Sequence, residues 1–129
     1  MKSAFASAPL IGRILSGIVI VFLMVDTLGK LIKVTPVIEG TLQLGYPESA
    51  IVPIGLLLLA GVVLYAIPRT SVLGAIYLTG FLGGAVATHY RVGSPLFTHV
   101  LFAVYVALFV WGGLALRNPR LRALLTDAR

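Results

Sequence analysis

Residues 51–67 read IVPIGLLLLAGVVLYAI, seventeen positions without a charged side chain. At about 1.5 Å per residue such a run, made helical, comes close to crossing the roughly 30 Å of a bilayer's hydrocarbon. Ser49 is placed to cap it, and Pro53 falls in the first turn, where a missing N–H costs nothing. Three further apolar segments flank it: about 11–32, 72–90 and 96–116. The first is the weakest by hydropathy, since Arg13, Asp26 and Lys30 interrupt it.

The composition requires the same environment. Of 129 residues, 59% are hydrophobic and 11% charged, with mean hydropathy +1.05. A soluble domain carries about 25% charged residues, so the apolar excess here faces lipid. Ten Lys and Arg against four Asp and Glu give a net charge of +6. These cations stand singly at the edges of apolar runs, the pattern of membrane flanks, and this excludes a nucleic-acid surface. With no cysteine, thiolate, disulfide and iron–sulfur chemistry are excluded within the chain, and any redox role needs a cofactor or a partner.

The linkers fix the order of the spans. Residues 35–48 carry Pro36, Gly40, Gly45 and Pro47 and read as a surface loop with room for a short interfacial helix. Pro68-Arg69-Thr70-Ser71 and Arg91-Val92-Gly93-Ser94-Pro95 are short enough to force antiparallel neighbours. The expected fold is all-α: one polytopic membrane domain over residues 1–129, an antiparallel four-helix transmembrane bundle. Ala6-Ser7-Ala8 precedes the first apolar run, the reverse of a cleavable signal peptide, so the first helix is expected to stay.

Seven cations (Lys2, Arg13, Arg69, Arg117, Arg120, Arg122 and Arg129) fall on the side of the two termini, against Lys30, Lys33 and Arg91 on the other. The positive-inside rule therefore places both termini in the cytoplasm and the protein in the cell membrane. The same asymmetry argues against an inverted dimer. Trp111 lies at a depth suited to an interfacial anchor, and the chain ends in a short basic tail.

Asp26 is the most informative residue, because an ionisable group within a span costs about 2.5–3.5 kcal/mol at the helix centre. Lys30 follows one turn later, in the favourable acid-first order. The pair is either a structural ion pair or part of a proton-handling or ligand site. By topology Asp26, Lys30, His89, Arg91 and His99 converge at the outer end of the bundle, as the candidate polar site. A stripe from His99 through Ala103, Val106, Val110 and Gly113 is expected to face the bundle.

Haem ligation by His89 and His99 is disfavoured by their ten-residue spacing across a tight hairpin. A divalent metal on Asp26, His89 and His99 rests on depth alone, and no metal is assigned. A quinone-like ring needs only His and Asp beside an apolar wall. Each histidine taken singly can equally well bond a neighbouring helix or loop. In the third span Gly80, Gly84 and Thr88 recur every four residues with Gly83 and Ala87 alongside, a ridge that lets membrane helices approach closely.

Gly45-Tyr46-Pro47, Pro68-Arg69-Thr70, Leu73-Gly74-Ala75-Ile76 and the stretch from Gly80 through Phe81-Leu82-Gly83-Gly84 to Thr88-His89-Tyr90-Arg91 resemble the DoxX-like family of small four-span membrane proteins. Asp26, Lys30 and Trp111-Gly112-Gly113 match its pattern too, so the resemblance runs from Arg13 to Arg117. It implies a membrane bundle and leans toward redox. Relatives in the wider group are linked to quinone-coupled sulfur or terminal oxidases and to membrane-bound oxidoreductase assemblies, and a distant animal branch to assembly of other membrane proteins. The expected role is thus a subunit or accessory of a quinone-linked oxidoreductase system, with a non-catalytic anchor or assembly factor as the alternative. A proton-coupled transporter using Asp26 is a third reading. A homo-oligomer, or a hetero-complex with an oxidoreductase subunit, suits all three.

Overall fold

The computed structural model describes residues 2–126, with side chains from Ser7 onward; the Lys2 side chain, Asp127 and Arg129 of the charge argument lie outside them. The chain is all-helical, with no strand among the described residues: α1 Lys2–Leu31, α2 Thr35–Gln43, α3 Ile51–Ala66, α4 Ser71–Arg91, α5 Phe102–Arg117 and α6 Pro119–Thr126. Four stretches are long and apolar enough to cross a membrane: Ser7–Leu31, Glu48–Ala66, Pro68–Arg91 and Leu96–Arg117. They form the antiparallel bundle. Helix α1 packs on α3 and α5, and α4 closes the ring against the same two. Val19, Leu58, Tyr65, Leu78, Val110 and Leu114 fill its centre.

Several local features depart from the sequence reading. Helix α1 begins at Lys2, nine residues before the expected 11. Ser49 does not cap α3: it lies in a 3-10 turn, Glu48–Ala50, and no side chain caps the helix. The basic tail is partly a helix, α6, whose start is capped by Asn118 Oδ1 accepting from the N–H groups of Arg120 (3.1 Å) and Leu121 (3.2 Å). Pro119 fills its first position, and Leu121 folds back into the core.

The fourth span is not α-helical throughout. After Pro95 the chain makes a π turn, Leu96–Val100, in which Val100 N–H bonds Pro95 O at 3.1 Å and Leu101 N–H bonds Leu96 O at 2.9 Å. The wider turn shifts the phase of what precedes α5. Ala103, Val106, Val110 and Gly113 do line the interior, but Val100 continues their stripe and His99 is exposed.

Of the small-residue ridge of α4, only Thr88 meets another part of the chain among the described residues, bonding Tyr46 OH at 3.1 Å. An added Cβ at Gly80, Gly83 or Gly84 would have no neighbour within 4 Å, and Ala87 is exposed. The inward face is Ser71, Gly74, Ala75, Leu78 and Leu82, so the ridge is turned to the opposite side of the helix. Close approach within the bundle uses other glycines. A Cβ on Gly74 would overlap the backbone of Tyr65. One on Gly12 would stand 2.7 Å from both Arg117 N and Gly113 O, and one on Gly113 would stand 2.6 Å from Ser16 Oγ.

Gly74→Ala is therefore expected to cost about 1–3 kcal/mol of stability, while Gly84→Leu leaves the melting temperature of the detergent-solubilised monomer within error of wild type. Equal losses in the two variants would show that the inward face of α4 is wrongly assigned.

Candidate functional site

The end of the bundle that carries Asp26, His89 and His99 is shaped by how α4 stops. Gly93 takes a left-handed conformation (φ 76°), with its N–H bonded to Tyr90 O at 3.1 Å and that of Ser94 to His89 O at 3.0 Å. This is a Schellman ending, which needs a residue free of Cβ strain at the left-handed position. It folds Ser94 back over the helix, where Ser94 Oγ meets His89 Nδ1 at 3.1 Å. The π turn that follows presents His99, with Thr98 Oγ1 2.8 Å from its Nδ1. The two imidazole rings lie 5.8 Å apart between centroids at 61°, an edge-on pair.

Asp26 and Lys30 form an ion pair one helical turn apart at 2.5 Å. Lys30 is mostly covered, its Cβ backed by Gly55 of α3, whereas the Asp26 side chain is 38% exposed. Arg91 Nη2 donates to Leu44 O at 3.2 Å, tying the end of α2 to α4 beside Tyr46 OH···Thr88 Oγ1 at 3.1 Å. Lys33 pairs with Glu48 at 3.3 Å. All five expected site residues thus stand at one end, but in three groups: the acid–lysine pair on α1, the histidine pair between α4 and the π turn, and Arg91 against the α2 loop. No hydrogen bond or ion pair among the described residues joins them, and no three His, Asp or Glu side chains are close enough to share a metal ion.

Below this end an apolar groove of about 250 Å³ runs between α1 and α5, lined chiefly by Phe22, Phe102, Tyr105 and Phe109. The Phe22 and Phe102 rings are 5.5 Å apart. In the sequence Asp26 follows Phe22 by one turn of α1 and His99 precedes Phe102 by three residues; neither Asp26 nor His99 lines the groove.

The opposite end holds a polar cluster that reading the spans one at a time misses. Arg117 Nε donates to Ser16 Oγ at 3.0 Å, Ser16 Oγ to Tyr65 OH at 2.9 Å, and Tyr65 OH to Val110 O at 2.7 Å. Because the Tyr65 proton is committed to Val110 O, the serine must be the donor to it, and each hydroxyl gives one bond and takes one. Arg117 Nη2 also reaches Ser71 Oγ at 3.4 Å, and Ser71 Oγ donates to Tyr65 O at 2.8 Å. The guanidinium lies 5.4 Å from the Tyr65 ring centroid. Ser16, Tyr65 and Ser71 are 4%, 0% and 2% exposed. One polar residue from each span meets at one depth, a signal visible only when the four spans are aligned in antiparallel register. Trp111 is half-buried against the core, and its Nε1 donates to Thr79 Oγ1 on the exposed side of α4 at 2.7 Å.

Four helices long and apolar enough to cross a membrane, packed into one bundle, define an integral membrane protein of the helical-bundle class. Within that class, the chain belongs to the DoxX-like family, whose family model matches residues 14–113. No curated protein and no solved structure matches it.

The two polar ends differ in what they contribute to the fold. Arg117→Leu should cost about 1.5–3 kcal/mol, the range for hydrogen bonds to a charged group. Asp26→Asn should change stability by less than about 1 kcal/mol, since its partner pair is partly open to solvent. Chemical unfolding in mixed micelles measures both, and a larger loss at Asp26 would make the Asp26–Lys30 ion pair a structural element.

Proposed function

We propose that this DoxX-like protein is a membrane subunit or accessory of a quinone-linked oxidoreductase system, oriented in the cell membrane with both chain ends in the cytoplasm. The observation that carries the reading is the apolar, aromatic groove between α1 and α5, whose Phe22 stands one turn before Asp26 in α1 and whose Phe102 follows His99 by three residues. A quinone fits such a place by its chemistry: an isoprenoid chain against Phe22, Phe102 and Phe109, and the ring toward the polar end. A quinone accepts two electrons and two protons as it becomes a quinol. The electrons come from a redox partner subunit, since this chain carries no thiol to relay them.

The chain's own residues hold and move protons. Asp26, kept beside Lys30 Nζ, is an acceptor at one edge of the ring position, and the imidazole of His99 is a donor or acceptor at the other. His89, edge-on to His99 and bonded to Ser94, is placed to orient it. The orientation in the membrane rests on Arg13 of α1, Arg69 of the α3–α4 turn, Arg117 at the end of α5 and Arg120 and Arg122 of α6, on the side of the two termini.

Protein purified from quinone-replete membranes should yield about one quinone per chain on solvent extraction and mass spectrometry, and Asp26→Asn should lower that yield about fivefold or more. Protein that is consistently empty removes the quinone reading.

A second reading, an anchor or assembly factor, is favoured by the outward ridge of Gly80, Gly83, Gly84 and Ala87, which leaves α4 open to a partner helix from a second copy or another subunit. On this reading a co-purifying partner survives Asp26→Asn and is lost from Gly84→Leu. The reverse pattern rejects it.

A further inference from the structure

Arg117 closes the last residue of the fourth span, where a long cationic side chain ordinarily reaches outward to the headgroups. Here it is half-buried and turned inward onto Ser16, Ser71 and the Tyr65 ring, all of them neutral. The acids among the described residues, Asp26, Glu39 and Glu48, are all at the opposite end, where Lys30 and Lys33 take two of them. The helix dipoles compensate it only in part: Arg117 stands in the last turn of α5, whose partial negative charge favours a cation, while the C-terminus of α3 adjoins the N-terminus of α4 across Pro68–Thr70 and the two cancel. A guanidinium held in a partly dry position, with no carboxylate beside it among the described residues, calls for an anion.

Two more arginines border it. Arg13 follows Gly12, the residue whose missing side chain admits Arg117 N and Cβ. Arg69 lies two residues before Ser71, the hydroxyl that Arg117 Nη2 touches. Both are exposed. Three guanidinium-bearing positions thus border the junction of α1, the α3–α4 turn and α5, at the end where the third span begins and the fourth ends. Forked guanidinium donors match the paired oxygens of a phosphate ester.

We infer that Arg117, flanked by Arg13 and Arg69, binds the phosphate of an anionic phospholipid headgroup at this end of the bundle. The buried hydroxyls aim and hold the central arginine, and the two exposed ones add charge and selectivity over zwitterionic lipid. The site is independent of the quinone groove, which opens beneath the other end.

Native mass spectrometry of the detergent-solubilised chain, titrated with phosphatidylglycerol or with phosphatidylcholine, tests this. Wild type should retain phosphatidylglycerol preferentially. Arg13→Gln and Arg69→Gln, neither of which touches the buried hydroxyls, should each lower that preference about fivefold, the order expected for one basic residue near an anionic lipid surface. Arg117→Gln should abolish it, and if that variant does not fold the two exposed variants still decide. Arg120→Gln on α6 is the control and should leave the preference within twofold. An equal loss in Arg120→Gln would mean a diffuse positive field and overturns the site. Equal retention of phosphatidylcholine overturns it too. If inorganic phosphate displaces phosphatidylglycerol at millimolar concentration, the site belongs to a free anion and the lipid assignment fails.

Discussion

The fold turns on one chain of buried hydrogen bonds, from Arg117 through Ser16 and Tyr65 to the carbonyl of Val110. In a bilayer there is no water to compete for a hydroxyl and little hydrophobic force to press helices together, so packing and interhelical bonds decide which helices meet and at what register. This chain connects α5, α1 and α3, and Ser71 brings in α4 through the same guanidinium. The glycines cooperate with it. Gly12 and Gly113 let α1 and α5 come close enough for Ser16 to reach both Tyr65 and Arg117, and Gly74 seats α4 on the backbone of Tyr65. A slip of one residue in any span would leave a hydroxyl unpaired in a dry interior, so the network sets the depth of all four.

With that end clamped, the other is free to differ. There the helices stop in left-handed turns at Lys33 (φ 55°), Gly45 (φ 88°) and Gly93 (φ 76°), and the polar side chains lie in small groups joined to loops. Fewer bonds cross between spans, and the aromatic groove opens between α1 and α5 immediately below. A bundle with one fixed end and one looser end suits a ligand entering from the lipid at the looser end, and it separates the residues that hold the fold from Asp26 and His99, on which the proposed chemistry depends.

Much of the architecture was legible because the bilayer imposes a length. An uncharged run such as 51–67 has few alternatives, and the short linkers left only an antiparallel order. What escaped the reading was rotation about each helix axis. A ridge such as Gly80-Gly83-Gly84-Ala87 looks the same whether it meets a neighbour in the chain or faces away, and only the bulk at Leu78 and Leu82 settles the direction. His99 seemed to extend the inward stripe of α5 because the π turn after Pro95, which adds a residue to the turn, has no firm sequence signature. Helix α6 was readable in principle, since Asn118 before Pro119 is a helix start, but a run with several arginines reads as a tail. The convergence of Asp26, Lys30, His89, Arg91 and His99 at one end followed from topology, whereas their division into three groups depends on side-chain directions. Ser16, Tyr65 and Ser71 each carry little weight alone within an apolar run, and their meaning comes from lying at one depth.

A double-mutant cycle on Ser16→Ala and Tyr65→Phe, measured as unfolding free energies in mixed micelles, tests this account most directly. If the hydroxyls act as links of one chain, the two losses are coupled by about 0.5–3 kcal/mol. Losses that simply add would show two independent packing sites, and the hydroxyl chain would not be what holds the four helices in register.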